Sequence, residues 1–432
     1  MTCASRPGNP CPHTCGLFLR YIARMRLRKL IFVLLSHAVW LTHAPYALGN
    51  PQPIGMFIES STPINETVDD FVVDYERLTV HERRVVEAKA LEQRLGPYSS
   101  QLAENWLELA HEAVDLGQRE SASALFQKGL HNMRLNAGLT TNKQLSAVTD
   151  WIAVLRRTGN QSGLVQQLNY RYRIMGYGAA PWDGDRLTYA LQYFDYQLAL
   201  LAVSEWRREE SQVIKLAKHL EGIVEAACGG SNANRQACLQ LTKRRLQLLY
   251  LISYAVQPIT EDPHLSPFHT QRELNEPTIS EEKLLSIHRN AYQTGVKMLN
   301  RGIDYLGGSD ELELVLADWR WFNGKTTQAR KMYERLANVL PAEFVLPVAL
   351  PHGLIEEGLH NAVSDEEKMA TFSFDVTANG NARNVVEQAD EKKQRSTSRL
   401  RKHLKQLKFR PVVAENGARI KMRVTRSYWK TR

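Results

Sequence analysis

The chain has 432 residues, of which 43% are hydrophobic and 23% charged, with a formal net charge of +9. These proportions are near the globular average and exclude bulk disorder, and the length suits two or three domains rather than one. The positive excess is gathered toward the C-terminal end, so an anionic partner is a question for that end alone.

Residues 1–24, with Cys3, Cys11 and Cys15, read as an upstream extension. From Met25 the pattern is that of a signal peptide over 25–49. Arg26, Arg28 and Lys29 come first, then an apolar run at 30–41, then Ala47-Leu48-Gly49 as a small-x-small cleavage site. The run is short for a bilayer. Cleaved, it delivers the chain to the periplasm; retained, it leaves an inner-membrane anchor. Residues 50–79 are expected to hold a linker and the first helix. Beyond the leader the remaining cysteines are Cys228 and Cys238, and an even pair in an exported protein favours a disulfide. Gly229, Gly230, Ser231, Asn232 and Asn234 between them read as a helix-to-helix loop that the bridge would staple.

Residues 80–340 carry helical periodicity. From Trp106, the residues Leu109, Ala110, Ala113, Gly117, Ala122 and Phe126 set bulky, small and turn positions as a helix pair requires: small side chains where helices meet, a glycine at the turn, aromatics between layers. A second copy surrounds Gly159 with Val148, Trp151, Ile152, Leu155, Leu164 and Leu168, and a third surrounds Gly324 with Leu316, Ala317, Ala329 and Tyr333. This pattern resembles tetratricopeptide repeats, which implies a stacked α-solenoid with a concave binding groove. Between the copies, 187–205 and 213–228 read as helices, and the aromatic residues Tyr189, Tyr193, Phe194 and Tyr196 read as core or lining. The proline-broken stretch 258–277 reads as an excursion from the helical array.

The texture changes after Pro341. Residues 341–369 read as a linker with an extended lead-in, and 370–432 as a small α+β domain of ββαβ order. Phe372, Phe374 and Val376 alternate on one strand face, Asn379-Gly380-Asn381 suits a hairpin turn, and 382–387 makes the return strand. Leu400, Leu404 and Leu407 give a helix one apolar stripe, which Lys408-Phe409-Arg410-Pro411 closes. In a last strand Ile420, Met422 and Val424 alternate with Arg419, Lys421 and Arg423. With Phe409-Arg410-Pro411 as a Phe-x-Pro signature and Asn416-Gly417 as a second turn, this order resembles the C-terminal domain of TonB-like energy transducers. The resemblance implies that the last strand is the outer one. Its unpaired backbone would then take an extended partner segment, with Arg419, Lys421, Arg423, Val424 and Tyr428 as the partner-binding residues.

Motifs for catalysis, cofactors and metals are not visible. His111-Glu112 has Asp115 where a metalloprotease helix needs a second histidine, and His264 and His269 have no carboxylate partner. The expectation is therefore a mainly α, non-enzymatic binding scaffold in the cell envelope, without cofactor. Its partners would be envelope proteins, an outer-membrane protein among them, or peptidoglycan, and not nucleic acid. A membrane-anchored energy transducer and a cell-wall-binding structural protein are the alternatives.

Overall fold

The computed structural model describes residues 57–59, 74–203, 210–229, 233–255, 279–350, 370–388, 397–414 and 418–430. The leader, the excursion at 258–277 and the turn at Asn416-Gly417 lie outside the described residues. The described chain is mainly helical, with a small sheet toward its C-terminal end.

Asp74 opens α1 (Tyr75–Leu95), accepting hydrogen bonds from the Glu76 and Arg77 amides at 3.1 Å each and so satisfying two of the free donors of the first turn. Helices α2 (Gln101–Asp115) and α3 (Arg119–Ala137) form the first expected pair. Gly117 sits at φ +72° between them. Its amide donates to the Val114 carbonyl at 3.0 Å and the Gln118 amide to Ala113 at 2.8 Å, a paired C-terminal cap that a side chain at that φ would strain. The same two bonds close α4 (Leu145–Arg157) at Gly159 before α5 (Gln161–Ile174). Ala110, Ala113 and Ala122 are fully buried where α2 and α3 meet, and Trp106 and Phe126 fill the space alongside.

The chain continues through α6 (Gly184–Val203), α7 (Glu210–Gly229), α8 (Arg235–Ala255) and α9 (Ile279–Leu306); α7 covers the expected helix at 213–228, and α6 takes in 187–203 of that expected at 187–205, whose last two residues lie outside the described residues. Helices α10 (Asp310–Phe322) and α11 (Thr326–Val339) turn at Gly324 with the same cap as Gly117. Phe194 and Tyr196 are buried, Tyr193 stacks on Tyr172 at 4.4 Å, and Arg171 lies 4.2 Å over the Tyr189 ring. Two apolar clusters result, one around Trp106, Phe126 and Leu155, the other around Phe194, Leu220, Ile252 and Trp319. Among the described residues no helix is long and apolar enough to cross a membrane.

The sulfurs of Cys228 and Cys238 lie at bonding distance, with Cα atoms 4.8 Å apart, and join the end of α7 to the start of α8. Replacing both by alanine is expected to cost about 2 kcal/mol, because the bridge restricts the unfolded chain. Urea denaturation measures this, and equal midpoints for the oxidised protein and the double variant would show that the bridge contributes nothing.

The strands are β1 (Phe57–Glu59), β2 (Val348–Leu350), β3 (Ala370–Val376), β4 (Ala382–Glu387), β5 (Lys408–Arg410), β6 (Val412–Val413), β7 (Arg419–Ile420) and β8 (Met422–Lys430), with α12 (Thr397–Gln406) before β5. The main sheet is antiparallel in the order β1-β8-β3-β4. Phe372, Phe374, Val376, Leu404, Leu407, Phe409 and Tyr428 make its core. The lead-in expected as linker is folded over its first ten residues, 341–350. A tight turn spans Pro341–Phe344 and β2 pairs with β5, because Phe344 and Leu350, each 1% exposed, have apolar surface to bury against α10 and α11.

Candidate partner-binding edge and the junction behind it

The residues expected to form one last strand divide into two. Arg419 and Ile420 pair with β6, whereas 422–428 pair with β3, and Lys421 belongs to neither. Strict alternation does not survive this change of partner, and the expected row of three cations breaks at its first member. Arg419 is half-buried and its Nη1 donates to the Ala378 carbonyl at 2.9 Å, at the β3–β4 turn. Burial lowers its pKa.

Lys421 and Arg423 do lie together, beside Asp375. Lys421 Nζ is 2.9 Å from Asp375 Oδ2, and Arg423 stands opposite Asp375 in the ladder. The Asn384 side-chain amide donates to the same carboxylate at 2.6 Å. The Asn384 bond, then that of Lys421, hold the Asp375 carboxyl below its ordinary range. Lys421 is thus engaged by the sheet's own anion, and the exposed Arg423 is the more available cation for a partner. Val424 faces the core opposite Phe374, and Tyr428 is buried opposite Ala370.

The side of β8 away from β3 is not open along its whole length, contrary to the expectation of an outer strand. β1 pairs there, with Phe57 opposite Lys430, Ile58 opposite Trp429 and Glu59 opposite Tyr428. Over residues 422–427 no described strand pairs with that side. The side of β8 away from β3 is therefore the candidate docking edge.

Behind the sheet lies a feature that sequence reasoning missed. Arg410, the middle residue of the Phe-x-Pro signature, is 2% exposed and reaches α10. Its Nε and Nη2 donate to the two oxygens of Asp318 at 2.9 and 2.6 Å, while Nη1 donates to the Glu343 carbonyl and to Glu343 Oε2, both at 3.0 Å. The Tyr333 hydroxyl adds a third donor to Asp318 at 2.8 Å. Desolvation disfavours the buried guanidinium, but the Asp318 carboxylate beside it outweighs that cost and raises the Arg410 pKa. Burial, together with the same carboxylate, drives the Tyr333 pKa well up, so the hydroxyl stays protonated and donating.

The hairpin turn is pinned at the same place. Gly380, at φ +67°, would bring a Cβ to 2.1 Å from the Phe409 carbonyl oxygen and 2.8 Å from Trp321 Nε1. That closeness lets the Phe409 amide donate to the Gly380 carbonyl at 2.8 Å and Trp321 Nε1 donate to the Phe409 carbonyl at 2.9 Å. The small sheet is therefore joined to α10 by a buried ion pair and an indole bond. The available signal was Asp318, a charged residue on an otherwise apolar helix face with Leu314, Ala317 and Trp321.

On the helical part, a cavity of about 550 Å³ lies between α1 and α2, lined by Arg84, Glu87, Leu91, Arg94 and Asn105. No protein-family model matches the chain, and no curated protein matches it.

Proposed function

We propose that the chain is an exported, non-enzymatic protein-binding scaffold of the cell envelope, whose small C-terminal domain takes an extended partner segment on the side of β8 away from β3. The observation that carries this reading is the strand already seated on the side of β8 away from β3: β1 pairs antiparallel there with residues 428–430, so that side accepts a strand. Support also comes from the two resemblances. The order β3, turn, β4, α12, Phe409-Arg410-Pro411 is that of TonB-like C-terminal domains, and the recurrent glycine-capped helix pairs at Gly117, Gly159 and Gly324 are in keeping with a tetratricopeptide-like scaffold. The signal-peptide pattern at 25–49 supports a periplasmic location.

Backbone pairing would supply affinity and Arg423 a preference for acidic residues. Photo-crosslinking tests this in cells: a benzoylphenylalanine at the exposed Thr425 on β8 is expected to give a discrete protein adduct that Val424→Pro abolishes, while the same probe at Glu82 on α1 gives none of that mass. An adduct at Thr425 that persists undiminished in a folded Val424→Pro protein would rule out strand addition there. Mass spectrometry of the mature N-terminus is expected to find Asn50; an intact leader would instead favour the anchored transducer.

A further inference from the structure

We infer that the solvent face of α12 is a docking surface for a bilayer of anionic phospholipid, held there by charge alone. The inference is independent of how β8 is used. It starts from where the positive excess sits. Residues 397–432 contain twelve Lys and Arg against one acidic residue, Glu415, a net +11 that exceeds the +9 of the whole chain.

Several of these cations are engaged by the fold. Arg410 is held by Asp318 and Glu343, Arg419 by the Ala378 carbonyl, Lys421 by Asp375 and Arg426 by the Pro347 carbonyl. Arg401, Lys402 and Lys405 differ: all three are exposed, and among the described residues no carboxylate lies within ion-pair distance of them. On a helix they fall within an arc of about 100°, opposite the buried His403 and Leu404. Lys408 follows directly and is exposed as well. Its Nζ donates at 2.7 Å to the Asn381 side-chain oxygen, which is neutral and leaves the charge uncompensated.

A surface that only keeps a domain soluble mixes both signs. On the helical part exposed cations do stand among carboxylates: Lys128 is 3.3 Å from Glu92, Arg84 3.2 Å from Glu108 and Arg335 3.3 Å from Asp310. The helix dipole accounts for Lys405, in the last turn of α12, but Arg401 and Lys402 lie upstream of that turn.

The form of the patch selects the partner. The cations stand on one convex helix face, and the apolar side of α12 is turned into the sheet core, so it offers neither a cleft nor an apolar stripe for insertion. Such a face has no shape by which to choose one small anion. Arg401 to Lys405 span about 6 Å of helix axis, within a Debye length of about 8 Å, so their charges act together on a plane of like charge. A bilayer with anionic headgroups is that plane, and each Lys or Arg brought to it is worth roughly fivefold in binding.

Flotation of the chain as recovered from cells tests this, with vesicles of phosphatidylcholine alone or of equal parts phosphatidylcholine and phosphatidylglycerol. Wild type is expected to float with the anionic vesicles and not with the neutral ones. Arg401→Gln, Lys402→Gln and Lys405→Gln together are expected to weaken this at least tenfold. Removing three exposed cations of the helical part, by Arg83→Gln, Lys89→Gln and Lys215→Gln, is expected to leave it nearly unchanged. All variants carry the same N-terminal region, so its contribution cancels. No preference of wild type for anionic vesicles would overturn the inference, and so would equal losses in the two triple variants, which would reduce the effect to net charge. Cosedimentation with isolated peptidoglycan that the α12 changes abolish, without vesicle binding, would assign the face to the cell wall and overturn it as well. Should the triple α12 variant fail to fold by circular dichroism, Lys402→Gln decides alone: a loss of roughly fivefold is expected, and an unchanged affinity overturns the inference.

Discussion

Arg410→Met is expected to destabilise the small domain and its attachment to α10 by about 3–5 kcal/mol, the cost of leaving a buried charge without its partner. Asp318 is 4% exposed and would keep only the Tyr333 hydroxyl after losing both guanidinium bonds. The Glu343 carbonyl and carboxylate would lose their donor in the same step. Adding Asp318→Leu should recover much of the loss, because an apolar pair of similar volume removes the unpaired charge instead of burying it. Denaturant unfolding followed by hydrogen exchange at the β3 and β5 amides measures the effect. A single variant that unfolds at the wild-type midpoint, or a double variant no better than the single, would mean the ion pair does not join the two parts.

Acid should loosen the small domain, and His403 is a principal cause. It lies on α12, 3% exposed, and burial lowers its pKa from 6.5 to about 4. The folded protein therefore binds a proton at this site less readily than the unfolded chain does. Stability is fully present above about pH 6.5, falls as the pH drops toward 4 and levels off below, for a total of about 3 kcal/mol at 1.36 kcal/mol per unit. The depressed carboxyl of Asp375 acts in the same direction, but its contribution is lost only below its ordinary 3.8, under the His403 window. Burial also lowers the pKa of His81, His219 and His288, which lie on α1, α7 and α9 and report on the helical part. Melting curves between pH 7.5 and 4.5, followed through hydrogen exchange at β3, should show the loss in wild type and not in His403→Leu. The same pH slope in both proteins would assign the acid sensitivity elsewhere.

What the sequence by itself determined is what short-range rules control. Helix periodicity places α6 and α7, positive-φ turns place the caps at Gly117, Gly159 and Gly324, and strict alternation places β3 and β4 with Phe372, Phe374 and Val376 facing inward. The cysteine pair belongs with these, since the loop that separates Cys228 from Cys238 is short enough for the helix hairpin to bring them together. Each of these follows from residues within a few turns or one hairpin of one another, where the backbone period leaves few choices.

Only the tertiary structure decided what happens to the ends and the charges. That β1 pairs with β8 joins the two extremes of the described chain, and backbone pairing of that kind leaves almost no trace in a three-residue sequence. That Arg419 turns away from β8 depends on a change of strand partner at Lys421, which alternation alone cannot show. Arg410 and Asp318 meet across 92 residues of chain, and although Asp318 stands on an apolar helix face, nothing in its own segment says which cation will meet it. Burial turns them into the centre of the junction, because a charge taken out of water must find its partner wherever the fold has placed it.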